Sequence, residues 1–449
     1  MNLSQLRAAL AAARVQPVKT LGQNFLHDQN LARWIVDQAQ IEANDFVVEI
    51  GPGLGALTEE IVARGARVLA LEKDGRLATA LRERFAGAPV EVRHGDALEF
   101  DARQLFGERN VRVIGCLPYY IASQLLTKFV TYPFSNKLSL FMLQDEMARR
   151  ISSVSGTADY GALTVRLQAH HEVAYLRKIP PPVFFPRPEV DSAVVRITPR
   201  AEAEVAMIDG ARLRELVRLG FSQRRKQVRN VIGDSLPAWE HLAAKLAFKV
   251  TARAGEISRE QWIALAQAAA GRSGKLQSQN DAEMFPLVDE NDVEVAAAPR
   301  REVHENNLRH RAVHLLIFNK KGELLLQKRS AGKDRHPLVW DSSAAGHVNA
   351  GEEYESAATR ELEEELGITT PLTPIGKLGA SEATGQEFIN VYRGTHEGPF
   401  HFPLEEISAV EFFPISLIER WTTAKPEEFA PGFLECWRLW HTTETPPAA

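Results

Sequence analysis

Through the first two hundred residues, short apolar and β-branched runs alternate with longer stretches whose apolar positions recur every three or four residues. The runs are Phe46–Ile50, Ala66–Leu71, Val90–Arg93, Val111–Gly115, Leu138–Leu143 and Ala193–Ile197. Near-continuous runs of this length suit strands buried on both faces, and their alternation with helical periods predicts βαβ units around a largely parallel sheet. From about Ala203 to Ala270 the pattern is helical throughout, which predicts a small all-helical cap. Residues 271–281, GRSGKLQSQND, are polar and lack any apolar period, so they read as a linker. Strand-like runs then return at Ala312–Asn319 and Glu323–Lys328. The expected division is 1–202 for an α/β core, 203–272 for the cap, 273–283 for the linker and 284–449 for a second domain.

Composition narrows the class. In 449 residues, 45% are hydrophobic and 25% charged, the average of folded globular chains, which excludes wholesale disorder and collagen-like or membrane-spanning classes. Two cysteines, Cys116 and Cys436, are too few for a disulfide framework and suit a reducing compartment. The opening residues are interrupted by Arg7 and Arg14 before any apolar core of a secretory signal forms, so a cytoplasmic location and no membrane partner are expected. The net charge of −5 divides unevenly: residues 1–272 carry +7 and residues 273–449 carry −12. A basic half suits a nucleic-acid partner, and an acidic half suits metal-binding carboxylates.

Directly after the run Phe46–Ile50 come Gly51, Gly53 and Gly55, then an amphipathic helical stretch from Ala56 to Ala63. Glycines at a strand-to-helix turn let the backbone approach a ligand. Glu72 ends the next strand, where a carboxylate can accept both hydroxyls of a ribose, and Asp96 ends the third, where it can take an adenine amine. Each alone would pass for a helix cap; together they describe an adenosine pocket. The spacing E-x-G-x-G-x-G is neither the dinucleotide fingerprint nor a P-loop, and S-adenosylmethionine fits it better.

These residues, with the runs Lys19 to Leu26, Met142 to Glu146, Asp159-Tyr160-Gly161, Phe184 to Ser192 and Phe221 to Lys226, resemble the KsgA/RsmA family of small-subunit rRNA adenine dimethyltransferases. The resemblance covers some 250 residues in family order. It implies a Rossmann-like S-adenosylmethionine-dependent methyltransferase with a helical cap, acting on N6 of two adjacent adenines in the 3′-terminal hairpin loop of 16S rRNA in the small ribosomal subunit. It further implies that Asn24 and Leu26 fold over the cofactor, that Gly51 lines its methionine end, and that Tyr119 and Phe184 stack on the target adenine. In the family an asparagine side chain and the next backbone carbonyl accept from the reacting amine; here those positions are Cys116 and Leu117. A thiol is a weak hydrogen-bonding group. Two readings stay open: a dimethyltransferase, or a methylation-impaired RNA-binding assembly factor. Arg224, Arg225, Lys226 and Arg229 are the expected phosphate contacts.

In the second half Gly346, Glu352, Arg360, Glu361, Glu364, Glu365 and Gly367 follow one another at fixed spacing. Glu361, Glu364 and Glu365 fall at i, i+3 and i+4, on one helical face. Like charges crowded there need a cation, and carboxylates favour Mg²⁺ or Mn²⁺. The pattern resembles the Nudix box, with the resemblance running from about Met284 to Trp440. It implies an α/β/α sandwich and metal-assisted hydrolysis of a nucleoside-diphosphate-type compound, with Glu361 as ligand or base, Glu364 and Glu365 as ligands, and Glu352 in support. A further carboxylate from Glu405 or Glu406 is expected. The stretch from His314 to His347 also resembles isopentenyl-diphosphate isomerase, but Ala344 and Ala345 stand where that enzyme has its cysteine.

Overall fold

The computed structural model describes every residue except 1, 18–22, 119–120, 131–135, 206–207, 209, 234–235, 237–238, 271–282, 331–332, 334, 404–405 and 445–449, and only the backbone at 202, 203, 211, 269, 270 and 444. The chain separates into two compact units, one comprising Met1–Ala201 with Gly210–Arg272 and the other Glu202–Asp209 with Ser273–Ala449.

The first unit is built on seven strands: β1 (Phe46–Ile50), β2 (Arg67–Glu72), β3 (Val90–His94), β4 (Val111–Cys116), β5 (Leu138–Gln144), β6 (His171–Ile179) and β7 (Ser192–Pro199). Their order across the sheet is β3-β2-β1-β4-β5-β7-β6. The first five are parallel, while β7 runs antiparallel to both its neighbours. Alternate residues of each buried strand feed opposite faces, as the pleat requires. Val48, Ile50, Leu69, Leu71 and Val113 pack on one face with Leu125, Leu126 and Phe129 of the helix Ala122–Val130. Val47, Val68, Ala70 and Ile114 pack on the other with Ile35, Val36, Leu57 and Ile61. Both faces are therefore dry, which is why these strands read as continuous apolar runs. The run expected to begin at Ala66 begins at Arg67 instead, and β6 was not expected at all. An edge strand exposed along much of its length, β6 mixes charged and apolar residues and shows no clean period.

Past β7 the chain is helical, with Gly210–Ser222 packed against Arg259–Ala270. Gly220 allows that approach, since a β-carbon there would sit 2.4 Å from the Trp262 ring. A two-residue ribbon, Phe25–Leu26 against Phe184–Phe185, brings distant chain segments together.

The second unit holds the hairpin β8 (Met284–Val288) and β9 (Glu294–Pro299) and a seven-stranded mixed sheet of β10 (His310–Phe318), β11 (Leu324–Arg329), β12 (Trp340–Asp341), β13 (Ala344–His347), β14 (Thr373–Leu378), β15 (Glu387–Thr395) and β16 (Ile407–Phe413). Central β10 runs parallel to β15 and antiparallel to β13. The helix Tyr354–Leu366 lays Ala357, Ala358, Leu362 and Leu366 on Val313, Leu315 and Ile317 of β10. Elsewhere Trp340, Phe413, Trp421 and Phe429 meet edge to face. Among the described residues, no helix is long and apolar enough to cross a membrane.

Two candidate functional sites

Parallel strands leave a crevice at their carboxyl ends, and in the first unit that crevice is a cavity lined by Asn24, Leu26, Gly51, Glu72, Asp96, Cys116, Leu117 and Phe184. Apart from Tyr119, which lies outside the described residues, the cavity gathers every catalytic and cofactor residue expected of this half. The glycine loop after β1 bends through positive φ at Gly51, Gly53 and Gly55. A side chain at Gly55 would also strike Phe85, its β-carbon 2.6 Å from the ring.

Two carboxylates organise the floor. Glu72 accepts from the Gly53 amide at 3.0 Å and the Asp74 amide at 2.9 Å, so it ties the glycine loop to the end of β2. Burial raises its pKa, and those amides hold the rise in check. Glu49, left without a role in the sequence reading, is 1% exposed and accepts from the Thr58 hydroxyl at 2.6 Å. Burial, opposed by that hydrogen bond and assisted by the charge of Glu72, pushes it up to about 7. Asp96 is different. Its Oδ2 takes the Lys73 ammonium at 2.7 Å and its Oδ1 the Leu98 amide at 2.9 Å. Burial works to raise its pKa, but these partners prevail and the net shift is downward.

Burial, with Glu49 adding repulsion, pushes the Cys116 thiol up to about 12, so near neutral pH it is uncharged. The Leu117 amide donates to the Met142 carbonyl at 3.0 Å, fixing the turn after β4. Phe184 is buried in the ribbon opposite Leu26. The residues present fit S-adenosylmethionine: backbone free of side chains at one end, and carboxylates at the strand ends for the ribose and adenine.

The expected RNA contacts do not form one group. Arg224 donates to the Ala158 and Tyr160 carbonyls at 3.0 and 2.8 Å, which anchors the cap to the core, and Arg229 pairs with Glu240 at 2.7 Å. Arg225 and Lys226 line a polar recess with Asn230, Lys249 and Arg253.

The site in the second unit is crowded with acids. Arg360 donates to both oxygens of Glu352 at 2.9 and 3.0 Å, to Glu361 at 2.7 Å, to Glu364 at 3.1 Å and to the His347 carbonyl at 2.9 Å. Its contacts with Glu352, joined by the Asn349 amide, outweigh burial and lower the pKa of Glu352. Burial, with the neighbouring charge of Glu365 next, pushes Glu361 up to about 8 against the pull of Arg360. A β-carbon at Gly346 would fall 2.0 Å from the Glu361 carboxyl carbon, so any other residue there would force that carboxylate out of its place. Glu365 is 5% exposed, and its Oε2 accepts from Gln327 at 3.0 Å and the Ala345 amide at 2.9 Å. Burial raises its pKa. Glu364 points outward, half exposed.

Three residues joined to this site escaped the sequence reading or were left unassigned by it: Gln327, Lys333 and Glu406. The Lys333 ammonium lies 2.8 Å from Glu406 Oε2 and 3.8 Å from Glu365 Oε1, so Glu406 is the carboxylate drawn towards the cluster. Glu405 lies outside the described residues. The donor set fits a hard divalent cation: carboxylate oxygens on Glu361 and Glu365, whose pKa values are both raised mainly by burial. Beside it, His304, His310 and His347 bring ligating nitrogens within 4.8 Å of one another, a set that could hold a metal ion. Glu387 lies 3.5 Å from His310 and 3.4 Å from His347. No spacing in the sequence marks these four as neighbours.

The family model for ribosomal RNA adenine dimethylase matches residues 16–270, and that for the NUDIX domain matches residues 308–433. Over 253 residues the chain is 42% identical to the ribosomal RNA small subunit methyltransferase A of Maridesulfovibrio salexigens, covering 55% of this chain and 93% of that protein. It is 41% identical over 254 residues to the protein of the same name from Leptothrix cholodnii, covering 56% and 91%. With Halothermothrix orenii the figures are 41% over 223 residues, 48% and 74%. The chain thus belongs to the ribosomal RNA adenine dimethylase family and carries a NUDIX domain behind its methyltransferase.

Proposed function

We propose that residues 1–272, as core and cap, transfer methyl groups from S-adenosylmethionine to N6 of two adjacent adenines in the 3′-terminal hairpin loop of 16S rRNA within the small ribosomal subunit. The observation that carries this reading is the single cavity shared by Asn24, Leu26, Gly51, Glu72, Asp96, Cys116, Leu117 and Phe184. When bound, S-adenosylmethionine supplies an electrophilic methyl group. The chain's part is positioning and electrostatics. Glu72 accepts the ribose hydroxyls, Asp96 the adenine amine of the cofactor, and Phe184 offers a face to a base held out of its loop. The Leu117 carbonyl accepts from the reacting N6 amine. Cys116, a neutral thiol, gives that amine little help, and this favours the second reading, an assembly factor that binds the subunit and methylates slowly or not at all. Labelled S-adenosylmethionine and small subunits lacking the modification separate the two: label on adjacent loop adenines supports the enzyme, and bound but unlabelled subunits support the assembly factor.

For residues 284–449, joined through 273–283, we propose hydrolysis of a nucleoside-diphosphate-type compound with Mg²⁺ or Mn²⁺ held by Glu361, Glu364 and Glu365. The metal, when bound, activates water and neutralises phosphate charge. Arg360 orients the carboxylates, and Gly346 leaves room for Glu361. An isomerase reading lacks an acid–base group beside Gly346, where Ala344 and Ala345 stand. Mg²⁺-dependent phosphate release that vanishes in Glu365→Gln supports the hydrolase, and release indifferent to that change contradicts it.

A further inference from the structure

Among the described residues, Arg360 and Lys333 both serve the acidic cluster of the second unit, and they are held very differently. Arg360 is locked by five hydrogen bonds to three carboxylates and a backbone carbonyl. Its planar fork cannot leave one partner without losing several. Lys333 comes from the loop between β11 and β12, and among the described residues its ammonium meets Glu406 Oε2 at 2.8 Å and Glu365 Oε1 at 3.8 Å. The side chain is 8% exposed, so the charge is buried on the strength of those two oxygens. Glu365 has its other oxygen committed to Gln327 and the Ala345 amide, which leaves Oε1 as the oxygen open to a cation.

A divalent ion coordinates carboxylate oxygen at roughly 2.0–2.6 Å and carries twice the ammonium's charge. Bound to Glu365 Oε1 or Glu406 Oε2, it would repel an ammonium seated a few ångströms away on the same oxygens. We propose that Lys333 is an exchangeable resident cation: it neutralises Glu365 and Glu406 in the metal-free protein, yields them to the incoming metal, and then meets the phosphate oxygens of the substrate from the same tether. A flexible stem carrying a compact point charge suits such an exchange. This inference rests on the hydrolase reading. It assigns the site a built-in competitor for metal, and it makes substrate and metal cooperate, because a diphosphate gives the displaced charge a partner.

The test uses the full chain without nucleotide and titrates Mn²⁺, counting only the uptake that Glu365→Gln removes, which sets the histidine cluster aside. Lys333→Met should bind this Mn²⁺ about tenfold tighter, the scale of one lost charge competitor, whereas Lys333→Arg should stay within about twofold of wild type. Acetylation of Lys333 in the unaltered protein, read by mass spectrometry, needs no variant: it should be slow in chelator and faster once Mn²⁺ is bound. Unchanged or weaker Mn²⁺ binding in Lys333→Met, or acetylation slowed by Mn²⁺, overturns the proposal while leaving the hydrolase standing. Wild-type protein with no Mn²⁺ uptake sensitive to Glu365→Gln overturns both.

Discussion

The two sites hold their carboxylates differently. In the first unit Glu72 is held by backbone amides and Glu49 by a threonine hydroxyl, and among the described residues only Asp96 of the three pairs with a cation, Lys73. In the second, five glutamates lean on Arg360 and Lys333, with Glu365 also accepting from Gln327 and the Ala345 amide. Carboxylates satisfied mainly by neutral donors are preorganised for hydroxyls and amines. Carboxylates crowded around cations, one of them a loosely held lysine, are poised for a metal. The difference is written in where each carboxylate finds its partner, and it predicts that the two activities fail separately.

The largest effect should come from Gly346→Ala, whose new methyl group must push the Glu361 carboxylate aside: hydrolysis should fall by a factor on the order of 10² or more, as for a displaced catalytic group, with methyl transfer untouched. Loss of hydrolysis and methyl transfer together would break the comparison. Next, Glu72→Ala removes the acceptor that ties the glycine loop to β2, and S-adenosylmethionine affinity, by calorimetry, should drop by about 2 kcal/mol with hydrolysis unchanged. In the other direction, Cys116→Asn restores an amide acceptor and should raise the methylation rate by roughly tenfold to a hundredfold; an unchanged rate would show that the Leu117 carbonyl suffices.

The pH response sharpens the contrast. Glu49 and Glu361 both have folded-state pKa values raised, to about 7 and about 8, mainly by burial. Each therefore contributes stability that is full below the usual carboxylate range and is lost as pH rises through its raised value. Thermal unfolding of the metal-free protein should show this loss between pH 5 and 8 in the wild type; Glu49→Gln removes one part of it and Glu361→Gln the other, while Mg²⁺ suppresses the Glu361 part alone. The smallest change is expected from Arg229→Ala: its pair with Glu240 is exposed, and stability should move by less than about 1 kcal/mol.

Much of this architecture is legible in the sequence because burial on both faces of a parallel sheet writes continuous apolar runs, and β1, β4 and β5 lie close to where those runs predict them. Glu72 and Asp96 are legible for a related reason: Glu72 closes β2 and Asp96 lies two residues past the end of β3, so both follow the strand spacing closely. The carboxylates of the NUDIX domain are legible because helical spacing combines with the fixed positions of Gly346, Arg360 and Gly367, although Glu364 turns outward while Glu361 and Glu365 are largely buried. What escapes is whatever depends on a loop meeting a distant element. Lys333 reaches Glu365 across thirty-two positions and Glu406 across seventy-three, and no local period records either approach. Edge strand β6 is obscured by exposure, which mixes charged residues into its pattern, and β9 is obscured because its first four residues are exposed and half of it is small alanine. Arg224 looks like a phosphate ligand in a basic stretch, yet it spends its guanidinium on two backbone carbonyls.

The most direct test is to assay both reactions on the same preparations of full-length wild type, Glu72→Ala and Glu365→Gln, with unmethylated small subunits for one and a nucleoside-diphosphate compound with Mg²⁺ for the other. Glu72→Ala is expected to lose methyl transfer and keep hydrolysis, and Glu365→Gln to do the reverse. If either substitution abolishes both reactions in folded protein, or leaves both intact, the assignment of two independently built sites is wrong.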